Sequence, residues 1–119
     1  MGINSTEVAY NFGQLGSGFC DTTGAFTPPT GKVIVAISFL ADTALSALVA
    51  DTGGYEAADG STGTAYFGSA TAVTANGGGA DSIDSSQEFP AGLTIFGRWT
   101  SVTLNAGMST SGIICYFGA

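Results

Sequence analysis

The chain has 119 residues, of which only 9% are charged, and its formal net charge is −7. This length fits one domain with a modest core, and the two cations, Lys32 and Arg98, are too few to neutralise a run of phosphates. Nucleic acids and anionic membranes are therefore excluded as partners held by charge. So low a charge content favours association with other subunits, with a monomer that has a Ser/Thr/Asn surface as the alternative.

The first thirty residues are the least strand-like part of the sequence. They are rich in Gly, Ser, Thr and Asn, with short candidate strands at residues 7–12 and 18–20. Pro28 and Pro29 cannot donate hydrogen bonds to a central ladder. We therefore expect a single β domain over residues 1–119, in which residues 1–30 form an N-terminal arm or an edge segment. The opening residues lack the basic and apolar pattern of a secretory signal.

Residues 32–40 carry a strong strand signal. Alternation places Val33, Val35, Ile37 and Phe39 on one face, with Ile34, Ala36 and Leu40 on the other. Both faces are apolar, which predicts a central strand covered on both sides. Residues 44–50 follow a predicted turn at Asp42 and favour a strand, with a helical turn as the alternative. Shorter strands are predicted at residues 64–68 and 71–74.

The clearest signal of a turn followed by a strand lies in residues 89–104. Pro90-Ala91-Gly92 predicts a turn, because Pro fixes φ and Gly accepts a positive φ. Alternating β-branched and aromatic residues then predict a strand that ends at Leu104. Gly97 interrupts this alternation, which indicates a bulge or a close backbone contact. We expect a hairpin between residues 99–104 and 113–117.

These elements predict an all-β fold, a single antiparallel β-sandwich or small jelly roll. The predicted core consists of Val33, Val35, Ile37, Phe39, Ile95, Trp99, Ile113 and Cys115.

The amino-acid inventory excludes most catalytic and metal chemistry. The chain contains no histidine, so it has no Ser-His-Asp triad, no Cys-His pair and no histidine metal site. Cys20 and Cys115 lack a CxxC spacing, and two buried free thiols are favoured over one disulfide. The acidic loops at residues 51–59 and 81–88 leave calcium binding open, with solvated loops favoured. We expect a protein that is not an enzyme and that has no cofactor and no metal.

Four residues are candidates for a contact surface: Arg98, Trp99, Tyr116 and Phe117. Arg and Trp are enriched at protein interfaces. Burial in the core is the favoured alternative for Trp99, and an ion pair with an acidic residue is the favoured alternative for Arg98. For Tyr116 and Phe117, core and interface both stay open.

Several segments resemble a group of small, uncharacterised virion proteins of tailed phages that infect marine bacteria, cyanobacteria especially. They are GKVIVAISFLADTALSALVADTGG (31–54), FPAGLTIFGRWTSVTLNAG (89–107), ICYFG (114–118) and the opening FGQLGSGF (12–19). The resemblance carries no catalytic motif. It implies a virion structural protein on the capsid surface, a decoration or cement protein that stabilises the shell. Its partners would be the major capsid protein, copies of itself in a homo-oligomer, or both.

Assembly in the host cytoplasm would keep both thiols reduced. The alternative function is a carbohydrate- or receptor-binding β-sandwich module of a tail fibre or adhesin. That alternative requires an exposed Trp99 beside acidic residues, whereas a buried Trp99 favours the structural protein.

Overall fold

A computed structural model describes residues 15–51, 67–69, 82–106 and 112–119. Within these ranges the chain is all-β, and every strand pair is antiparallel. The strands are β1 (Ser17–Cys20), β2 (Val33–Phe39), β3 (Thr43–Ala50), β4 (Glu88–Phe89), β5 (Thr94–Leu104) and β6 (Ile113–Gly118). The predicted all-β antiparallel fold is confirmed. The candidate strands at 7–12 and 71–74, and most of the one at 64–68, lie outside the described residues.

The strands form one hydrogen-bonded sheet in the order β1-β6-β2-β5-β3-β4. β2 lies between β5 and β6, so the predicted hairpin of residues 99–104 with 113–117 is wrong. β2 is thus a central strand, as predicted, and it separates the two later strands. β1 is an edge strand of this sheet, as expected for part of the N-terminal segment.

The predicted turn before β5 is confirmed. Gly92 has a φ of 86°, and the Leu93 amide donates to the Pro90 carbonyl at 3.2 Å. This positive φ is the conformation for which glycine is favoured at that turn position. The turn delivers the chain to β5 beside the end of β2.

β5 bends sharply, because its two halves pair with different strands. β2 pairs with the first half and β3 with the second, and the halves meet at Trp99. At one end Phe39 is hydrogen-bonded to Leu93, and at the other Ala44 is hydrogen-bonded to Asn105. A straight strand would separate Leu93 from Asn105 by about 40 Å, but the chain from Phe39 to Ala44 reaches at most about 18 Å. The sheet therefore folds over into two layers, in the manner of a sandwich.

Extra residues in the strand ladders accompany this bend. Val35 is one extra residue on β2 opposite β6, and Ser46 is one extra residue on β3 opposite β5. β5 itself has an extra residue at Thr100 opposite β3, and another between Phe96 and Trp99 opposite β2. Each extra residue shifts the inward-facing set by one position. As a result Ile34 is fully buried together with Ile37, whereas Val35 is only half-buried. This corrects the predicted core at Val35.

The remaining predicted core residues are buried or packed against the core. Val33, Ile37, Phe39, Trp99, Ile113 and Cys115 are buried, and Ile95 is partly buried against them. The core also contains Leu45 and Leu48 of β3 and Val102 and Leu104 of β5. The strand at 44–50, for which a helical turn was the alternative, therefore contributes directly to the core.

Trp99 lies in the core at the bend of β5. Its side chain is 1% exposed, and its indole N–H donates to the Phe67 carbonyl at 2.7 Å. The indole ring lies over Gly97, where a Cβ atom would come within 2.6 Å of Trp99 Cζ2. The irregularity predicted at Gly97 thus coincides with a break in the β2–β5 register and with a close ring contact.

Candidate interaction face

Two rows of side chains cross four strands on the face that points away from the core. Directly paired residues on neighbouring strands point to the same face of a sheet. The register joins Phe19, Ile114, Ser38 and Thr94 in one row, and Ser17, Tyr116, Ala36 and Phe96 in the next. None of these eight residues is charged. We call this set the open face.

The open face has exposed rings on its outer strands and a recessed middle. Phe19 on β1 is 56% exposed and Phe96 on β5 is 61% exposed. Between them, Ala36 on β2 is 3% exposed, and Ile114 and Tyr116 on β6 are half-buried. Isolated exposed apolar side chains are ordinary, but contiguous ones mark interaction surfaces.

A pocket of about 210 Å³ opens in this face. Its lining residues are Ala36, Ser38, Thr94, Phe96 and Tyr116. Ser38 Oγ and Thr94 Oγ1 share a hydrogen bond of 2.8 Å, and Ser38 Oγ also donates to the Tyr116 hydroxyl at 3.4 Å. The three hydroxyl groups thus partly satisfy one another. The pocket is neutral, with a hydroxyl floor and an aromatic wall.

The four residues predicted for a contact surface lie in three different places. Tyr116 is on the open face. Trp99 is in the core, and Phe117 is also buried there, stacked on Phe26 with ring centroids 6.0 Å apart. Arg98 is on the surface, where it pairs with Asp51 at 3.1 Å and donates to the Ala119 carbonyl at 2.6 Å. The structure therefore brings only Tyr116 into the open face.

Lys32 also has a structural contact. Its ammonium group donates to the Leu15 carbonyl at 2.9 Å and ties the residues before β1 to the start of β2. Both cations of the chain are therefore engaged with described groups.

Two of the described acidic residues, Asp42 and Asp84, hold local loop structure. Asp42 accepts a hydrogen bond from the Ala91 amide at 2.9 Å, which joins the β2–β3 turn to the turn before β5. The Ser86 hydroxyl and then its backbone amide hold the pKa of Asp84 below its usual range. No group of three or more potential metal ligands occurs in the described ranges. Glu56, Asp59 and Asp81, which belong to the acidic loops considered for calcium, lie outside those ranges.

Both cysteines are buried free thiols, which confirms the prediction. Burial, reinforced by the neighbouring Cys20, raises the pKa of Cys115 to about 12. A thiol with this pKa stays protonated at neutral pH and is a poor nucleophile. These thiols therefore belong to the core.

Sequence reasoning missed the open face as a unit. Phe96 follows Ile95 in an apolar run, and nothing in that run indicates which of the two side chains faces outward. The signal that was present is the absence of charge from residues 33–41 and 112–118. For residues 32–40, the apolar character of both faces was taken as evidence that both are covered.

Comparison of the chain with models of protein families, with curated proteins and with solved structures gave no match. No described segment forms a helix long and apolar enough to cross a membrane. The functional argument therefore rests on the open face and on the resemblance of the sequence segments.

Proposed function

We propose that this chain is a non-enzymatic structural protein of a phage particle, a capsid decoration or cement subunit that works by association. The observation that carries the proposal is the open face, with eight neutral residues and two phenyl rings that are 56% and 61% exposed. Each exposed ring that becomes buried in a contact contributes a hydrophobic free energy of about 1.5–3 kcal/mol. Such a face serves association better than chemistry.

The chemistry of the open face supports a binding role. Ser38 is the best-placed hydroxyl, and its bonding partners among the described groups are the hydroxyls of Thr94 and Tyr116. A serine nucleophile needs a neighbouring base that removes its proton, and neither hydroxyl is such a base at neutral pH. These groups therefore act as hydrogen-bonding groups.

The position of Trp99 favours the structural protein over the carbohydrate-binding alternative. A sugar site of the expected kind combines an exposed aromatic ring with carboxylates. The Trp99 ring is 1% exposed, its indole N–H is bonded to the Phe67 carbonyl, and the eight residues of the open face include no carboxylate. The resemblance to virion proteins supports the same choice. The proposed partners are the major capsid protein, copies of this chain, or both, at the capsid surface.

Co-sedimentation with capsid shells that lack the protein tests this function. The purified chain should bind the shells with saturation, and Phe96→Ser on the open face should weaken binding about tenfold or more, as expected for an interface anchor. Val49→Ser is the matched control, because Val49 is an exposed apolar residue, 46% exposed, on β3 in the other layer. No binding by the wild type, or equal loss with both variants, would overturn the proposal.

A further inference from the structure

We propose that the open face packs against the open face of a second copy, with Phe19 of each copy seated in the pocket of the other. This inference rests on the proposed function and deepens it by naming the partner. The open face supplies an exposed phenyl ring, a pocket of matching size and no charged residue.

The pocket has room for one phenyl ring. A protein cavity of about 150 Å³ holds a benzene molecule, and the pocket on the open face measures about 210 Å³. The wall of the pocket is the Phe96 ring, which offers an aromatic surface to an entering ring. Phe19 is the other exposed ring of the same face, 56% exposed on the edge strand β1.

The positions of Phe19 and the pocket permit a closed two-fold contact. Phe19 lies on β1 and the pocket is centred near β2, so about 10 Å separate them across two strand spacings. Phe19 and the pocket lie at about the same position along the strand direction. Phe19 shares a row with Ser38, and Ser38 lines the pocket. A two-fold axis that runs along β6, between them, places each Phe19 over the other copy's pocket. Ile114 and Tyr116 of the two copies then meet at the axis.

This arrangement is of a familiar type. An axis parallel to the strands gives face-to-face packing of two sheets with roughly aligned strands. A two-fold contact of this kind uses the same patch on both partners and closes at two subunits.

Charge favours a second copy as the occupant. Each chain has a formal net charge of −7, so two copies repel each other overall. The open face contains none of the charged residues, so two copies can meet there without facing like charges. A basic partner would be recognised by carboxylates, and the eight residues of the open face include none.

The size of the face sets the expected strength. Four strands at about 4.8 Å spacing and a shared length of about 13 Å give a flat area near 250 Å² per copy. This is below the roughly 800 Å² per partner of a standard stable interface, so the contact is of the weak class. The purified chain is therefore expected to dimerise weakly, so that monomer dominates in dilute solution.

Sedimentation velocity of the purified chain, from micromolar to near-millimolar concentration, tests for a weak dimer of this kind. The wild type should shift from monomer to dimer. Phe19→Ser should raise the dissociation constant about tenfold or more, and Val49→Ser should leave it unchanged. Unchanged circular dichroism and thermal unfolding confirm that each variant is folded.

A pocket-filling variant separates insertion from general stickiness. Ala36→Ile adds apolar surface at the floor of the pocket, so non-specific association would increase, whereas insertion of Phe19 would be blocked and association would decrease. Stronger association of Ala36→Ile would overturn the proposal. A dissociation constant for Phe19→Ser equal to that of the wild type would also overturn the proposal. This second test alters no core residue.

The experiments can overturn the proposed self-contact and the proposed function independently of each other. A wild type that stays monomeric to the highest concentration overturns the self-contact, and shell binding that Phe96→Ser abolishes would still support the structural function. A dimer that Phe19→Ser disrupts, together with shells that bind no protein, would support the self-contact and overturn the function. Chemical-shift changes at the open face of a persistent monomer on adding a neutral disaccharide would make a sugar the occupant and overturn the self-contact.

Discussion

Neighbouring residues on the central strands belong to two faces with different physical roles. On β6, Ile113 and Cys115 are 0% exposed in the core, whereas Ile114 and Tyr116 are half-buried on the open face. A fully buried aliphatic side chain contributes about 1.5–3 kcal/mol to folding. The inner face therefore carries most of the stability, and the open face can contribute to contacts at small cost to folding.

The largest expected difference between the faces concerns two aromatic residues of β5. Trp99→Ala removes a fully buried ring and leaves the Phe67 carbonyl without its indole donor. We expect a loss of about 3–5 kcal/mol in the free energy of unfolding. Phe96→Ala, on the open face, should cost less than about 1 kcal/mol, because its ring is 61% exposed.

Urea unfolding followed by circular dichroism measures both variants. Equal losses for Trp99→Ala and Phe96→Ala would mean that the two faces share the stability, contrary to the comparison. A change in the denaturant slope of Trp99→Ala would show that the variant also alters how much surface unfolding exposes.

The sequence predicted the positions of the strands well, but it predicted poorly which strands pair with each other. Strand signals at 32–40 and 93–104 come from local alternation, and the turn at Gly92 comes from local φ preference, so both were readable. The pairing of β5 with β2 depends on contacts between residues far apart in the chain. It has no local signal, and the nearest later strand was taken as the partner.

The candidate site was hidden for a related reason. The extra residue at Val35 moves Ile34 to the inner face and leaves Ala36 and Ser38 on the outer one. A strict period of two instead places Ile34 on the same face as Ala36 and Ser38, and nothing in the apolar run marks the bulge. Prediction of Arg98, Trp99, Tyr116 and Phe117 as contact candidates followed residue type, and only packing separates Tyr116 from Trp99 and Phe117.

Gly97→Ala tests how tightly the core is packed at the bend of β5. The added Cβ would come within 2.6 Å of Trp99 Cζ2 and 2.9 Å of Cη2, both on a rigid ring. The ring must shift, with an expected cost of about 1–3 kcal/mol in the free energy of unfolding. The measurement is a double-mutant cycle with Trp99→Phe, in which the smaller ring should reduce the cost of Gly97→Ala. The same cost in both backgrounds would show that the strain arises elsewhere than at the indole ring.

The smallest of the three effects depends on pH and tests the inner face through Cys115. Its pKa is raised from 9.0 to about 12 by burial and by Cys20, so the folded state keeps the thiol proton where the unfolded state loses it. This contribution is fully present below about pH 9 and is lost as the pH rises toward 12, with a loss of about 1.4 kcal/mol by pH 10. Cys115→Ala should flatten the decline between pH 9 and 10, whatever its stability at neutral pH. A decline that persisted unchanged in Cys115→Ala would show that the alkaline sensitivity does not arise from this thiol.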